Sequence, residues 1–558
     1  MTKIEGLTYY EVEKFNSIKE MMELAVKEAG NKIAFKYKKN GNIIDVTYEK
    51  FQQDTIDLGT AITNIHVNNK HIAILGENSY KWLTVYLTVL KSDGVFVPID
   101  KELPKDDIIY LLNHSDSEVL FFSKKYDKWI EDFKKALPNI KYFIGLDQEE
   151  DTENSLSYDK FMENGKNLYE IGNKDYLSLE SNPNELKMLV YTSGTTGRAK
   201  GVMLSEHNLV SSVYYGLQVS TVYDTSLSVL PYHHTYEAVS GILVELHYHT
   251  TICINDSLKA VLKNLQIFKP DIIYLVPAFV EVFYKRVWAN AKENGKEKGL
   301  KFLIKYSNAL RKIGIDKRKK FFKPIHDAFG GNLKKIVVGG APVRAELGEF
   351  FDAVGINLIN GYGITECSPL VSANMDGFND CSTVGIQLPC TDIKFENVNA
   401  DGYGEICVKG DIVMMGYYKN EEQTNRVLHD GWFNTEDYGK MNEKNQLIIK
   451  GRKKNLIVLN NGKNVFPEEI EDYILGIPYI QEAVVTGIKD KDNIECRLCA
   501  EVFLNQDKVK ELGITATEES IKNDIAIACE KLPVYKKVTK VIIRDKEFDK
   551  TTTNKIKR

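Results

Sequence analysis

The chain has 558 residues, 43% of them hydrophobic and 27% charged, with eight cysteines and a formal net charge of −5. That length calls for two or more domains, and that charge gives no footprint for a nucleic-acid partner. The cysteines are scattered, and only Cys496 and Cys499 form a C-x-x-C, with no second pair or nearby histidine to complete a zinc site. They sit in strand-like "IECRLCAEVF", so reduced thiols and a cytoplasmic protein are expected.

The N-terminal "MTKIEGLTYYEVEKF" has no apolar h-region, and no signal peptide is expected. Residues 82–90, "WLTVYLTVL", place Trp82, Val85, Tyr86, Val89 and Leu90 on one helical face, and strand-like "VFVPI" follows. Apolar runs such as 272–283, interrupted by Pro277 and Glu281, fall short of the ~20 residues that a membrane-spanning helix needs.

Residues 191–201, "YTSGTTGRAKG", concentrate glycines, hydroxyls and one lysine. A Walker A loop has its lysine directly after the second glycine of G-x-x-x-x-G-K-[ST], where a helix starts. Here Gly194 and Gly197 are closer together and Lys200 follows the second by three; strand-like "GVMLS" precedes Ser205, an N-cap candidate. The glycines still let backbone N–H groups converge on an anion, and Thr192, Ser193, Thr195 and Thr196 add donors. The plain alternative is a polar hairpin turn.

Residues 292–323 carry twelve Lys/Arg against three Asp/Glu, a net of +9 in an acidic chain, with Leu303, Tyr306, Leu310 and Ile313 at helical spacing. An amphipathic helical excursion is expected. It reads either as a solvated face or as a surface drawn to anionic headgroups, with the protein peripheral at the inner membrane surface.

Residues 333–366, "LKKIVVGGAPVRAELGEFFDAVGINLINGYGITE", repeat the step from strand to helix to strand, with glycine loops at the strand ends. Alternating strands and helices predict an α/β protein with mostly parallel sheets, whose ligands bind beyond strand ends. Tyr362 suits base stacking, Thr365 a phosphate contact and Glu366 a hard oxygen ligand for Mg²⁺. Asp437 in "GWFNTEDYG" suits ribose hydroxyls, and Arg452 adds a cation. Singly, each has an ordinary surface explanation; in this order they fit a nucleotide site. A boundary near 450 divides the chain into residues 1–451 and a small α/β domain, 452–558.

Taken together, "YTSGTTGRAKG", "VVGGAP", "NGYGITE", "GWFNTED", "GRKKNLIVLNNGKNVFPEEIE" and "KTTTNKIKR" resemble the AMP-forming adenylating enzymes: acyl-CoA synthetases, carrier-loading adenylation domains and firefly luciferase. The resemblance runs over nearly the whole chain. It implies a large N-terminal α/β region of several subdomains and a small mobile C-terminal α/β domain. It also implies ATP, Mg²⁺ and coenzyme A: a carboxylate attacks the α-phosphorus, pyrophosphate leaves, and a thiol then takes the acyl group and releases AMP.

By motif position, Thr192, Ser193, Gly194, Thr195, Thr196, Gly197 and Lys200 would hold the outer phosphates. Gly340, Ala341, Pro342, Asn360, Gly361 and Tyr362 would frame adenine. Thr365 would touch the α-phosphate, Glu366 and Thr192 would serve Mg²⁺, and Asp437 and Arg452 would hold ribose. His234 in "PYHHTYE" matches a histidine near the acyl carboxylate, and Lys555 matches the adenylation lysine, with the hinge at Lys454. The pair His233–His234 is discounted as a metal site because neighbouring side chains on a strand diverge.

Departures from the family pattern are Ala199 for proline, Glu436 for glycine, Asp549 for proline and Asn554 for glycine; they bear on rate and loop geometry. The basic excursion and the "TTTNKIKR" ending resemble long-chain fatty acyl-CoA synthetases, so a long-chain fatty acid is the expected substrate. The rivals are an aryl or other acid, acyl loading onto a carrier protein, and a catalytically silent nucleotide- or lipid-binding homologue. No carrier domain is expected after Arg558, which would tilt against an assembly-line module, and five intact polar residues tilt against the silent homologue.

Overall fold

Strands such as His71–Leu75 and Val119–Phe122 are buried at every position, the mark of sheets covered on both faces. The computed structural model describes residues 3–67, 70–192, 199–459, 463–489, 496–550 and 556. By packing, the chain forms two units: Met1–Asp392 with Val408–Phe433, and Ile393–Cys407 with Asn434–Arg558. Packing therefore groups residues 393–407 and 434–451 with the C-terminal segment.

Among the described residues, the first unit holds a nine-stranded and an eight-stranded sheet. In the nine-stranded sheet, Asn357–Gly363, Lys335–Val338, Ile272–Leu275, Thr225–Ser228, Thr251–Ile254 and Ile33–Lys39 are parallel neighbours in that order. The eight-stranded sheet is parallel from Leu186–Thr192 through Val95–Ile99, His71–Leu75 and Val119–Phe122, and closes with the antiparallel strands Lys200–Ser205 and Gly416–Tyr417. The expected α/β class with mostly parallel sheets holds.

One helix differs from its sequence reading. Tyr80–Leu90, capped by the Ser79 hydroxyl accepting from the Trp82 N–H at 3.2 Å, is buried at every position from Trp82 to Leu90. The single apolar face read from spacing is too narrow, because this helix lies inside the unit. The basic excursion is helical as expected over Glu297–Lys312 and again at Arg318–Phe321.

In the second unit, the helices Pro467–Leu475 and Glu518–Ala528 pack on the strands Ile480–Lys489, Cys496–Leu504 and Val538–Arg544. Ile470, Ile474, Val485, Val502, Ile521 and Val541 share that core. Cys496 and Cys499 are indeed residues of one strand, and all eight cysteines are free thiols.

A buried ion pair ties the nine-stranded sheet to its surroundings. Lys335 is fully buried, and its ammonium lies 2.7 Å from Asp376, 2.6 Å from the Thr221 carbonyl and 3.0 Å from the Ser220 hydroxyl. Asp376 also accepts from the Thr221 N–H and the Asn357 amide. Asp376→Ala strands the ammonium inside and should cost about 3 kcal/mol in a urea titration, whereas Lys335→Met with Asp376→Leu should recover most of it.

Candidate functional site

The strand Leu186–Thr192 returns as Lys200–Ser205, with Thr192 opposite Lys200. Ser205 then caps the helix Glu206–Val219: its hydroxyl accepts from the Asn208 N–H at 3.2 Å, and the Asn208 amide oxygen accepts from the Ser205 N–H at 2.9 Å. A strand after the loop, with the helix delayed, separates this hairpin from the Walker A build. Ser193, Gly194, Thr195, Thr196 and Gly197 lie outside the described residues, whereas Thr192 and Lys200 stand half-buried at the hairpin's two ends.

A distant segment stitches Lys200 to Glu366. Gly416 and Tyr417 pair with Met203 and Val202, and the Tyr418 N–H donates to the Gly201 carbonyl at 2.7 Å. Just before them, the Met414 N–H donates to the Glu366 carbonyl at 2.8 Å. Tyr417 therefore stands between the two. Its hydroxyl donates to Glu366 Oε1 at 2.9 Å, and its ring centroid is 5.0 Å from Lys200 Nζ. Lys200 also donates to Gln423 Oε1 at 3.2 Å. Neither Tyr417 nor Gln423 was singled out from sequence; more than two hundred positions separate them from Lys200, and strand pairing brings in Tyr417 while the helix Glu421–Val427 that follows carries Gln423.

The two glycine loops leave neighbouring parallel strands, with Val338 opposite Asn360. Gly340 has φ +83°, a left-handed conformation that favours glycine, and Ala341 and Pro342 are exposed beside it. Asn360 is buried, donating from Nδ2 to the Thr383 carbonyl at 3.1 Å; Gly361 and Tyr362 follow half-buried, paired with Ala373 and Ser372. The chain then turns through Thr365–Cys367, which carries the half-buried Thr365 and the buried Glu366.

His233 and His234 occupy a turn, not a strand, and their ring centroids are 4.2 Å apart. The side-chain divergence expected on a strand does not apply. His233 is buried with Nε2 3.5 Å from Asp100 Oδ1, and burial pushes its pKa down to about 3, so the ring is neutral. His234 is half-buried. A π-helix follows at Tyr236–Leu243, a form found often at functional sites. Its Tyr236 hydroxyl donates to the Val337 carbonyl at 3.1 Å, which anchors this segment to the strand that leads into Gly340.

The π-helix also carries Glu237, fully buried, whose Oε1 accepts from the Ser228 hydroxyl at 2.5 Å. Burial pushes its carboxyl pKa up to about 8, and that of the equally buried Glu245 well above the carboxylate range. Alternating polarity could not reveal these neutral acids; only the depth of the helix does.

In the second unit, Asp437 and Arg452 are register partners on antiparallel strands, with Arg452 Nε 3.1 Å from Asp437 Oδ1. Asp437 is buried, and its N–H donates to the Thr435 hydroxyl at 3.1 Å. Glu436 has φ +60°, which gives a physical reason for the glycine usual there. Lys454 lies in the short turn Lys453–Asn455, just past the end of the strand Leu447–Arg452. Lys555 lies outside the described residues.

Residues 22–418 match the family described as AMP-binding enzyme, and residues 469–555 match the AMP-binding enzyme C-terminal domain. The chain is 30% identical over 442 residues to the long-chain-fatty-acid–CoA ligase FadD15 of Mycobacterium tuberculosis, a match covering 75% of this chain and 70% of that protein. It is 28% identical over 444 residues to long-chain-fatty-acid–CoA ligase 1 of Homo sapiens, covering 75% and 64%. Among solved structures it is similar to the anthranilate CoA ligase AuaEII in complex with anthranoyl-AMP, with TM-score 0.77 and 19% identity over 99% of this chain and 96% of that one. The O-succinylbenzoate coenzyme A synthetase of Bacillus subtilis in complex with AMP gives TM-score 0.71 and 20% identity, with 96% of each chain covered.

Glu237 gives the fold a pH signature. Its folded pKa, about 8, stands above the ordinary carboxyl value of 4.5, so between those limits the folded chain holds a proton that the unfolded chain has released. Stability is therefore lost as pH rises through that window. Glu237→Gln removes this titration and should make the decline shallower by about 1.4 kcal/mol per pH unit between roughly pH 5 and 8. Urea titrations across that range measure it; an unchanged slope means that Glu237 is ionised in the folded protein.

Proposed function

Because the chain belongs to the AMP-binding enzyme family, we propose that it activates a long-chain fatty acid with ATP and passes the acyl group to coenzyme A. Adenylate-forming acid–CoA ligase chemistry is the family-level part of that statement. The observation that carries it is the convergence of the hairpin end Lys200 and the carboxylate of Glu366 on Tyr417.

The cation and the hydroxyl of Thr192 at the hairpin ends suit the outer phosphates of ATP. Among the described residues, no three His, Cys, Asp or Glu side chains gather as a metal cage. Mg²⁺ is ordinarily held by one or two carboxylates together with substrate phosphates and water, so Glu366, oriented by the Tyr417 hydroxyl, fits the ion. When bound, Mg²⁺ neutralises charge that develops on the departing pyrophosphate. Exposed Ala341 and Pro342 with half-buried Tyr362 suit the flat adenine ring.

In the first half-reaction an acid oxygen bonds to the α-phosphorus as the bond to the pyrophosphate oxygen breaks. In the second, a thiolate bonds to the acyl carbon and AMP leaves. We assign Thr365 to the α-phosphate, His234 to the acyl carboxylate, Asp437 and Arg452 to ribose, Lys555 to adenylation and Lys454 to the hinge. The names of the sequence relatives support a long-chain acid. The solved neighbours, at 19–20% identity, bear on the fold alone.

Acid-dependent exchange of labelled pyrophosphate into ATP, and release of AMP, test the reaction; ADP and orthophosphate would end it. Across acids of increasing length, kcat/KM should rise toward long chains, and faster turnover of an aromatic acid would replace the fatty-acid assignment.

Tyr417→Phe removes the hydrogen bond to Glu366 while keeping the ring beside Lys200. Half-saturating Mg²⁺ should rise about tenfold. An unchanged Mg²⁺ dependence removes Tyr417 from that role.

A further inference from the structure

The helix Glu297–Lys312 has two apolar faces, and only one of them is used. Leu300, Leu303 and Ile304 pack against the core beneath. On the outer face, Phe302 is 69% exposed, Tyr306 48% and, just past the helix, Ile313 70%. The two rings lie parallel, with centroids 6.3 Å apart. An ordinary solvated face would have polar residues at these positions; large exposed apolar groups clustered within a polar rim mark an interaction surface.

The rim is cationic. Lys298, Lys305 and Lys312 recur every seven residues, all exposed, and form no ion pair with an acid among the described residues. The acids nearby are engaged elsewhere: Glu297 pairs with Lys301, Asp316 with Arg318, and Asp352 with both Arg311 and Arg318. Lys317, Lys319 and Lys320 continue the positive charge beyond Ile315, itself 41% exposed.

Aromatic rings set in a row of uncompensated lysines match the interface of an anionic bilayer, with rings at the headgroup boundary and ammonium groups on phosphates. We propose that Glu297–Lys312, with Ile313 and Ile315, is a docking surface for an anionic lipid membrane. The surface holds no site residue, so the proposal stands apart from the choice of acid.

Flotation of the purified full chain with vesicles tests it, comparing phosphatidylcholine alone with mixtures containing phosphatidylglycerol. Binding is expected only to the anionic vesicles and should weaken steeply with salt. Lys298→Gln, Lys305→Gln and Lys312→Gln together should weaken it about a hundredfold, at roughly fivefold per lysine. Phe302→Ser with Tyr306→Ser, at unchanged charge, should weaken it about tenfold. Both variants should keep wild-type circular dichroism and turnover of a soluble short acid.

Equal binding to neutral vesicles, or unaltered binding by either variant, overturns the proposal. So does a self-association that Phe302→Ser with Tyr306→Ser abolishes in a chain that ignores vesicles, because the face would then cover a second copy.

Discussion

The site depends on one strand, Lys200–Ser205, being paired on both edges. Leu186–Thr192 on one side closes the hairpin, and Gly416–Tyr417 on the other brings in the residue that meets Glu366. Neither the lysine nor the carboxylate could find the other by local propensity, because their separation in sequence is far beyond any turn. Backbone hydrogen bonds fix the register, and a slip of one residue would turn Tyr417 to the opposite face of the sheet. The tyrosine separates the opposite charges: Lys200 faces a ring and an amide oxygen, Glu366 a phenol. A direct ion pair would have spent both charges on each other. The observed arrangement keeps Lys200 and Glu366 near each other without mutual neutralisation.

In the second unit, strand register likewise sets Asp437 and Arg452 opposite each other, but here the two charges meet in a direct ion pair. The left-handed backbone at Glu436 costs on the order of 1 kcal/mol for a residue with a Cβ. That strain sits beside a buried aspartate whose N–H is tied to Thr435, so the surrounding ladder over-determines the conformation. Lys453 is bound to Glu405 at 2.6 Å, while Lys454 is in the turn where the ladder of Leu447–Arg452 has ended. A strand end beside a clamped neighbour is where a change of φ and ψ can be absorbed without breaking ladder hydrogen bonds, which suits the hinge assignment.

Much of this was readable from sequence because α/β folds place glycine loops at strand ends. Apolar runs gave the strands, glycines marked where each run stopped, and "VVGGAP" and "NGYGITE" emerged on adjacent parallel strands. What escaped was whatever depends on depth or on long-range pairing. The Tyr80–Leu90 helix read as one-faced because spacing cannot distinguish a covered helix from a half-covered one. The pair His233–His234 read as lying on a strand, yet it sits in a turn entering a π-helix, so two rings expected to diverge come together. Glu237 carries no sequence signal of its depth, though its side chain is enclosed and neutral. Tyr417 carried no local signal at all.

The charge distribution sets the basic helix apart from the rest of the chain. The segment 292–323 carries +9 within a net of −5, which leaves −14 on the other residues. A remainder that acidic is repelled by an anionic bilayer, while the basic segment is drawn to it, and both effects fade within about 8 Å at physiological ionic strength. Attraction and repulsion acting on different parts of one chain make a torque as well as a force, so approach is oriented before contact. At the proposed docking surface, contact would add apolar burial of Phe302, Tyr306 and Ile313, which salt screens far less than it screens charge. Under the proposed docking, that order of events would present the same face to the lipid at each encounter.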